Sequence, residues 1–348
     1  MSRTDVLLVG LGSTAGLRAA EDELAASLRR AGARVEMVRA RPPRTVRTLV
    51  LTDLLWALAA RAAARRGIAE HAPRALVYST TTAALLWPRS GDVRRAIRYD
   101  APAAANRRGR HGLWQRPLER RRLRQADLLV PQTGVTLAET PTPHADAVVV
   151  PIPVEPTAGV AAGVPRGVTA VTYAANWRKK GLDRILAAWA LARSDGEVLL
   201  VVGVTDEQIR AAARAAGLDG IPAGVDHHEL LEPEVYRERL RLASVYVTAP
   251  RREDFGVAQL EALADGCALV TTDPGGPYAA LPLARAIDPR WVVADDADPA
   301  TLAAAIRAAV DDPPVGLAAR TLEAVAPYRR AAVDAVVARE VLPRLLPA

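Results

Sequence analysis

Residues Pro250 to Gly276 read PRREDFGVAQLEALADGCALVTTDPGG, with Glu253 and Glu261 separated by seven residues. Gly256 to Ala264 has helical character. At 100° per residue Val257, Leu260, Glu261 and Ala264 fall on one face, which puts a carboxylate on the stripe expected to pack inward. A carboxylate in such a place needs a partner, because desolvating it alone is costly. Cys267 to Thr272 is a short apolar run ending in Thr, Asp and Pro. That pattern suits a buried parallel strand, followed by a loop at Gly275-Gly276. Helix, strand and glycine loop should therefore meet on one rim of an α/β sheet.

Working outward, the same alternation fills the chain. Upstream, Asp5 to Val9, Arg34 to Val38, Ala75 to Tyr78, Ala96 to Tyr99, Leu128 to Val130 and Val148 to Val150 are short apolar runs; downstream, Thr169 to Tyr173, Val198 to Val202, Val245 to Val247, Ala268 to Thr271 and Trp291 to Val293 repeat them. Helical stretches such as Asp183 to Ala192 and Ala300 to Val310 fall between, which predicts parallel sheets made of βαβ units in both halves. At 348 residues two domains are expected. The Pro/Gly/Ala stretch 151–167 reads as a linker between an N-terminal domain, 1–150, and a second one, 168–330. The expected fold is thus two Rossmann-like, doubly wound domains facing a cleft. Residues 331–348 form an amphipathic end to the chain.

Glu253, Phe255, Gly256, Glu261, Ala262, Gly266 and Gly275-Gly276 stand in an order and spacing that resemble the motif of the retaining, nucleotide-sugar-dependent glycosyltransferases of GT-B fold (glycosyltransferase family 4-like). The resemblance is close over the second half and loose over the first. It implies that Glu261 binds the donor ribose, that Glu253 contacts the transferred sugar, that the enzyme is a hexosyltransferase, and that the last helix crosses back to the first domain. Phe255 and Gly256 open the helix, so their N–H groups lie at its positive end, where hydroxyls or phosphate oxygens can be met. In TYAANWRKKGLD, Lys179 and Lys180 are the only lysines of a chain with 44 arginines, and the Lys180-Gly181 pair matches the family. The family's Arg a few residues earlier is replaced by Ala174 and Ala175, which leaves Arg178 as a substitute. The first glycine cluster, VGLGSTAGL, holds Gly10, Gly12 and Gly16 without dinucleotide spacing, and by resemblance Gly12 approaches the donor diphosphate. Asp100 in RYDAP stands where similar enzymes carry an acceptor-side motif.

The expected activity is therefore sugar transfer from a nucleotide diphosphate sugar to an unidentified acceptor, with Glu253, Lys180 and Asp100 as catalytic candidates. No cofactor beyond the donor and no metal is expected. Two alternatives stay open: an epimerase or phosphorylase of the same fold, and a nucleotide-sugar-binding protein without turnover. His227-His228 lacks further ligands at metal spacing and reads as a surface loop; Asp295-Asp296 and Asp311-Asp312 read as turn and capping residues.

Composition narrows the setting. The single Cys267 excludes an internal disulfide framework and lies in an apolar run, as a buried thiol would. No run has the length of a membrane span, and MSRTD leads straight into the strand-like DVLLVG, so a cytoplasmic enzyme is expected. Residues 1–150 hold 25 Arg against 13 acidic side chains, a balance of +12, while the remainder holds 21 basic and 26 acidic, a balance of −5. Much of the excess lies between Arg89 and Arg124, with few interleaved aromatics and no nucleic-acid-binding module. An anionic acceptor, or peripheral contact with an anionic membrane, fits that face better than nucleic acid.

Overall fold

The computed structural model describes residues 4–42, 48–107, 109–141, 146–157 and 167–347. Two units divide the chain. The first comprises Met1–Pro153 and Tyr328–Ala348, the second Val154–Pro327. Within the stretch read as a linker, residues 158–166 lie outside the described residues.

The first unit is built on β1 (Val6–Gly10), β2 (Val35–Arg39), β3 (Ala75–Tyr78), β4 (Arg94–Tyr99) and β5 (Leu128–Pro131). They form a parallel sheet in the order β2-β1-β3-β4-β5. Side chains alternate across it, so Val6, Leu8, Ala75, Val77 and Ala96 join one core, and Leu7, Val9, Leu76, Tyr78 and Ile97 the other. The first core is completed by the end of the chain: Val333, Val337, Val341 and Leu345 recur every four residues along the helical segment from Arg330 to Leu345 and are buried against it. Val148 to Val150 is not a strand. Ala147 just before it makes an isolated bridge with Leu129, and the Val148 and Val150 N–H groups donate to β5, after which Pro151 and Pro153 supply no N–H to continue a ladder.

The second unit is built on β6 (Val168–Tyr173), β7 (Leu199–Val202), β8 (Val225–His228), β9 (Ala243–Thr248), β10 (Ala268–Asp273) and β11 (Val292–Ala294). Their order is β11-β10-β9-β6-β7-β8, with parallel pairing throughout. β8 corrects the sequence reading, which took His227-His228 for a loop. Its sequence VDHH has one apolar residue, and an edge strand paired only with β7 does not need more. His227 and His228 point their Nε2 atoms at Asp206 (2.7 Å) and Asp226 (3.3 Å). The chain runs outward from β6 to β8, then returns to β9 on the other side of β6. β6 and β9 therefore flank the point where strand order reverses, and loops at the carboxyl ends of such strands line the crevice in which open α/β sheets bind ligands.

Candidate active site

The turn after β6 and the loop after β9 are locked together. Asn176 accepts from the Lys179 N–H at 3.1 Å and caps the single helical turn Trp177–Lys180, which ends at Gly181 in the left-handed region, φ 66°. A Cβ on Gly181 would lie 1.8 Å from the Ala249 carbonyl oxygen, so this residue must be glycine for the two segments to meet. The Arg251 N–H donates to the Lys179 carbonyl at 2.9 Å, and the Arg251 guanidinium, held by Asp183, donates to the Arg178 carbonyl at 2.6 Å.

Across this junction the lysines meet the carboxylates of the Glu-Asp pair in opposite pairings. Lys180 Nζ lies 2.6 Å from Glu253 Oε2, and Lys179 Nζ lies 3.0 Å from Asp254 Oδ2. Glu253 is buried, and its Oε2 also accepts from Gln259 Nε2 at 3.0 Å. Burial would lift the Asp254 carboxyl, but Lys179 and Arg252 outweigh it and hold the group below its ordinary value. Phe255 is buried and its carbonyl accepts from Ala279 N–H, while Gly256, at φ 85°, begins the helix Val257–Ala264 with no side-chain cap. A Cβ there would press to 2.7 Å on the Tyr278 ring. Gly275 and Gly276 follow β10 at φ 68° and 92°, and Gly276 passes beside the Glu253 carbonyl and the Arg252 guanidinium.

Glu261 differs from the expectation. The helix is buried on nearly every side, through Gln259, Leu260, Ala262, Leu263 and Ala264, and Glu261 is the margin of that surface at 28 % side-chain exposure. The deeply buried carboxylate of the motif is Glu253. A single apolar stripe cannot be read from eight residues that pack against protein almost all round. Glu261 also has a neighbour that the sequence did not announce: Arg237, whose Nη1 approaches it at 3.5 Å while Nη2 binds Asp265, Thr157 and the Glu155 carbonyl. Burial raises the Glu261 carboxyl, Arg237 draws it down and Asp265 pushes it up again, leaving it above its ordinary value. The Tyr236 and Tyr173 rings meet nearby at a tilt of 60°, their centroids 5.7 Å apart.

Arg178 is exposed and lies over Trp177, its Cζ 4.2 Å from the ring centroid. Arg252, like Arg237, is a cation that sequence reasoning missed. Its Nε donates to Asp254 at 2.8 Å, Nη1 sits by Gly276, and no described protein group accepts from its buried Nη2. The signal was present, one residue ahead of Glu253, but charged neighbours of a motif carry no direction until the backbone is known.

Two candidates lie in the first unit. The Gly12 N–H and the Leu11 N–H both point at Glu21 Oε1, at 3.2 and 2.8 Å, and Glu21 also binds Ser79 and Arg39. A Cβ on Gly10 would fall 2.6 Å from this carboxylate. The first glycine loop thus encloses an anion that the chain itself supplies. Asp100 is exposed past the end of β4; its side chain accepts from the Ala101 N–H at 2.8 Å and its carbonyl from the Thr136 hydroxyl at 2.6 Å. Among the described residues no three His, Cys, Asp or Glu side chains are grouped to hold a metal, and no helix is long and apolar enough to cross a membrane.

Comparison with known proteins adds the family. Residues 167–312 match the family model for glycosyl transferases group 1. No curated protein matches the sequence. Sucrose-phosphate synthase from Thermosynechococcus elongatus superposes with a TM-score of 0.72 at 18 % identity, covering 96 % of this chain and 97 % of its own. WaaG, a glycosyltransferase involved in lipopolysaccharide biosynthesis, does so at 0.69 and 15 %, over 99 % and 100 %. HepE from Anabaena, solved with UDP and glucose, reaches 0.68 at 12 %, over 97 % and 99 %. With a glycosyl transferases group 1 domain in its second unit and a parallel α/β sheet in each, the chain is a glycosyltransferase of GT-B fold.

Proposed function

We propose that the enzyme transfers a sugar from a nucleotide diphosphate sugar, with retention of anomeric configuration, and that the donor is held by the second unit at the β6–β9 switch point. The observation that carries this reading is the Lys180–Glu253 pair, placed between the two loops that flank the reversal of strand order. Lys180 Nζ spends one N–H on Glu253 and keeps two for the oxygens of a diphosphate. Both protein bonds to Glu253 fall on Oε2, which leaves Oε1 to accept from a hydroxyl of the transferred sugar. The Gly275-Gly276 loop lets a substrate approach the backbone, and Arg252 beside it adds a second guanidinium-to-phosphate option to that of Arg178. Glu261 would take the ribose hydroxyls, with Arg237 beside it opposing the effect of burial on its carboxyl.

In this arrangement the charge that grows on the departing diphosphate is met by fixed cations and by the uncapped start of the helix Val257–Ala264. Asp100 and the exposed arginines of the first unit are the acceptor-side candidates. HepE and a pneumococcal O-GlcNAc transferase have been solved with UDP, which makes UDP sugars the first donors to try. The test is release of nucleoside diphosphate from a panel of nucleotide sugars, with the product's anomeric configuration read by NMR. Release that survives Lys180→Met and Glu253→Gln within a few-fold would move the donor elsewhere, and an inverted product would remove retention.

A further inference from the structure

The helix Leu49–His71, between β2 and β3, packs on the first unit's sheet through its small residues. Ala57, Ala60 and Ala64 are fully buried, and a Cβ on Gly67 would fall 2.8 Å from the Leu7 side chain and 2.9 Å from that of Val38. Its large apolar residues face the other way. Leu51 and Leu58, two turns apart on one side of the helix, are 49 % and 45 % exposed. Beyond Leu58 the exposed positions are Ala62, Arg65 and Arg66. A helix built to meet water has the reverse order, with leucine inward and polar residues outside.

Leu113, 63 % exposed, enlarges the apolar part of this surface. It follows the turn Gly109–Gly112, which packs against the same helix, and Arg107 just before that turn donates to Asp53 of the helix at 2.7 Å. The chain leaves β2 and β4 at the carboxyl edge of the sheet, and both helical segments run back from there. The three leucines therefore lie in the half toward that edge. Arg65 and Arg66, with Arg120, Arg121 and Arg124 of the helix Gln115–Gln125, lie in the other half. From Thr48 to Ala69 and from Arg107 to Gln125 the acidic residues are Asp53 and Glu119, and both are buried. The outward surface of these segments thus joins leucine to arginine without a carboxylate.

We infer that this face docks on an anionic lipid bilayer, with Leu51, Leu58 and Leu113 entering the acyl boundary and the arginines meeting the headgroup phosphates. Exposed leucine gains by leaving water and arginine gains by meeting an anionic headgroup, and a bilayer surface supplies both layers side by side. A second copy of the chain seated on this face by a two-fold axis would set arginines against arginines with no carboxylate between them.

Two measurements on the full chain decide it. The one cysteine, Cys267, is buried, so Leu58→Cys provides a single reachable thiol for an environment-sensitive fluorophore. Its emission should shift to the blue on vesicles of mixed phosphatidylcholine and phosphatidylglycerol, and bromination of the lipid acyl chains should quench it. The same dye at Leu191→Cys, an exposed leucine of the second unit, should not respond. Changing Leu51, Leu58 and Leu113 together to Gln should leave the thermal midpoint unchanged, yet weaken co-sedimentation with the mixed vesicles by at least about tenfold although every arginine is intact. Absence of acyl-chain quenching at position 58 overturns the inference, and so does wild-type vesicle binding by the triple variant. Self-association that the triple variant loses, with no dye response to vesicles, also overturns it and assigns the face to a second copy. If the triple variant does not fold, the labelled protein still decides.

Discussion

At the scale of single residues, the site depends on charges that are only partly in water, so removing one partner exposes the other. Glu253 has side-chain exposure of 6 % and Lys180 of 19 %. Lys180→Met should therefore lower stability by about 3 kcal/mol, because the buried Glu253 side chain loses its ion partner. Adding Glu253→Gln should recover much of that loss while transfer activity stays absent, a coupling that a double-mutant cycle of unfolding free energies reads directly. A double-variant loss equal to the sum of the two single-variant losses would mean that the pair is not coupled. A second carboxyl, Glu119, sits in the first unit with its two oxygens on the Ala103 N–H at 2.8 and 3.0 Å. Burial pushes it up to about 7, against hydrogen bonds from Thr81 and Ala103 and the charge of Arg107, with Asp100 adding to the rise. Because the fold favours its neutral form, its contribution is complete below the ordinary value of 4.5 and is lost as the pH rises to about 7. Glu119→Gln keeps an acceptor for Ala103 and has no charge to acquire. Over that pH interval the wild type should lose on the order of 1–3 kcal/mol more than the variant, and parallel stability curves would contradict this.

At the scale of elements, backbone positions with no room for a side chain hold the site. Gly181 and Gly275 both have positive φ, 66° and 68°, yet only at Gly181 would a Cβ strike the backbone of another loop. Gly275→Ala should cost about 1 kcal/mol, the ordinary penalty of a left-handed residue. Gly181→Ala should cost at least twice that and impair donor binding, since separating the Ala249 loop from this turn pulls Lys180 from Glu253. Thermal unfolding and nucleotide titration of the two variants check the contrast. The elements legible in the sequence were those whose composition and period agreed: β3 and β10 were found almost to the residue because Ala75–Tyr78 and the apolar start of Ala268–Asp273 are buried on both faces. What escaped was what pattern cannot carry. β8 is polar because it is an edge, Val148–Val150 is apolar but stops at prolines, and the site's contacts come from residues 73 apart, such as Lys180 with Glu253. Arg237 and Arg252 were invisible for the same reason, being ordinary arginines until a carboxylate or a glycine loop is set beside them.

At the scale of the whole molecule, the arginine excess of the first 150 residues divides into internal and external parts. Arg107 holds Asp53, Arg94 binds the Arg344 carbonyl, Arg95 and Arg122 cover Trp87, and Arg98 is buried. Arg120, Arg121 and Arg124, on the helix Gln115–Gln125, remain exposed and offer a compact cationic face to an anionic acceptor or membrane. If that face docks, vesicles containing anionic lipid should bind the enzyme at low salt and release it at high salt. Changing the three arginines to Gln should weaken binding about a hundredfold, at about 1 kcal/mol each. Equal co-sedimentation with neutral vesicles would remove the membrane from consideration. Arginine has also displaced lysine almost everywhere, and that makes the proposed donor site chemically addressable. Within these 348 residues, side-chain primary amines occur only at Lys179 and Lys180. Side-chain acylation or reductive methylation, and cleavage after lysine, will therefore report on the proposed donor site. Lys179, at 42 % exposure, should react before Lys180 at 19 %, and a bound donor should slow both; mass spectrometry of the labelled chain then becomes an occupancy assay that needs no engineered tag and no knowledge of the acceptor.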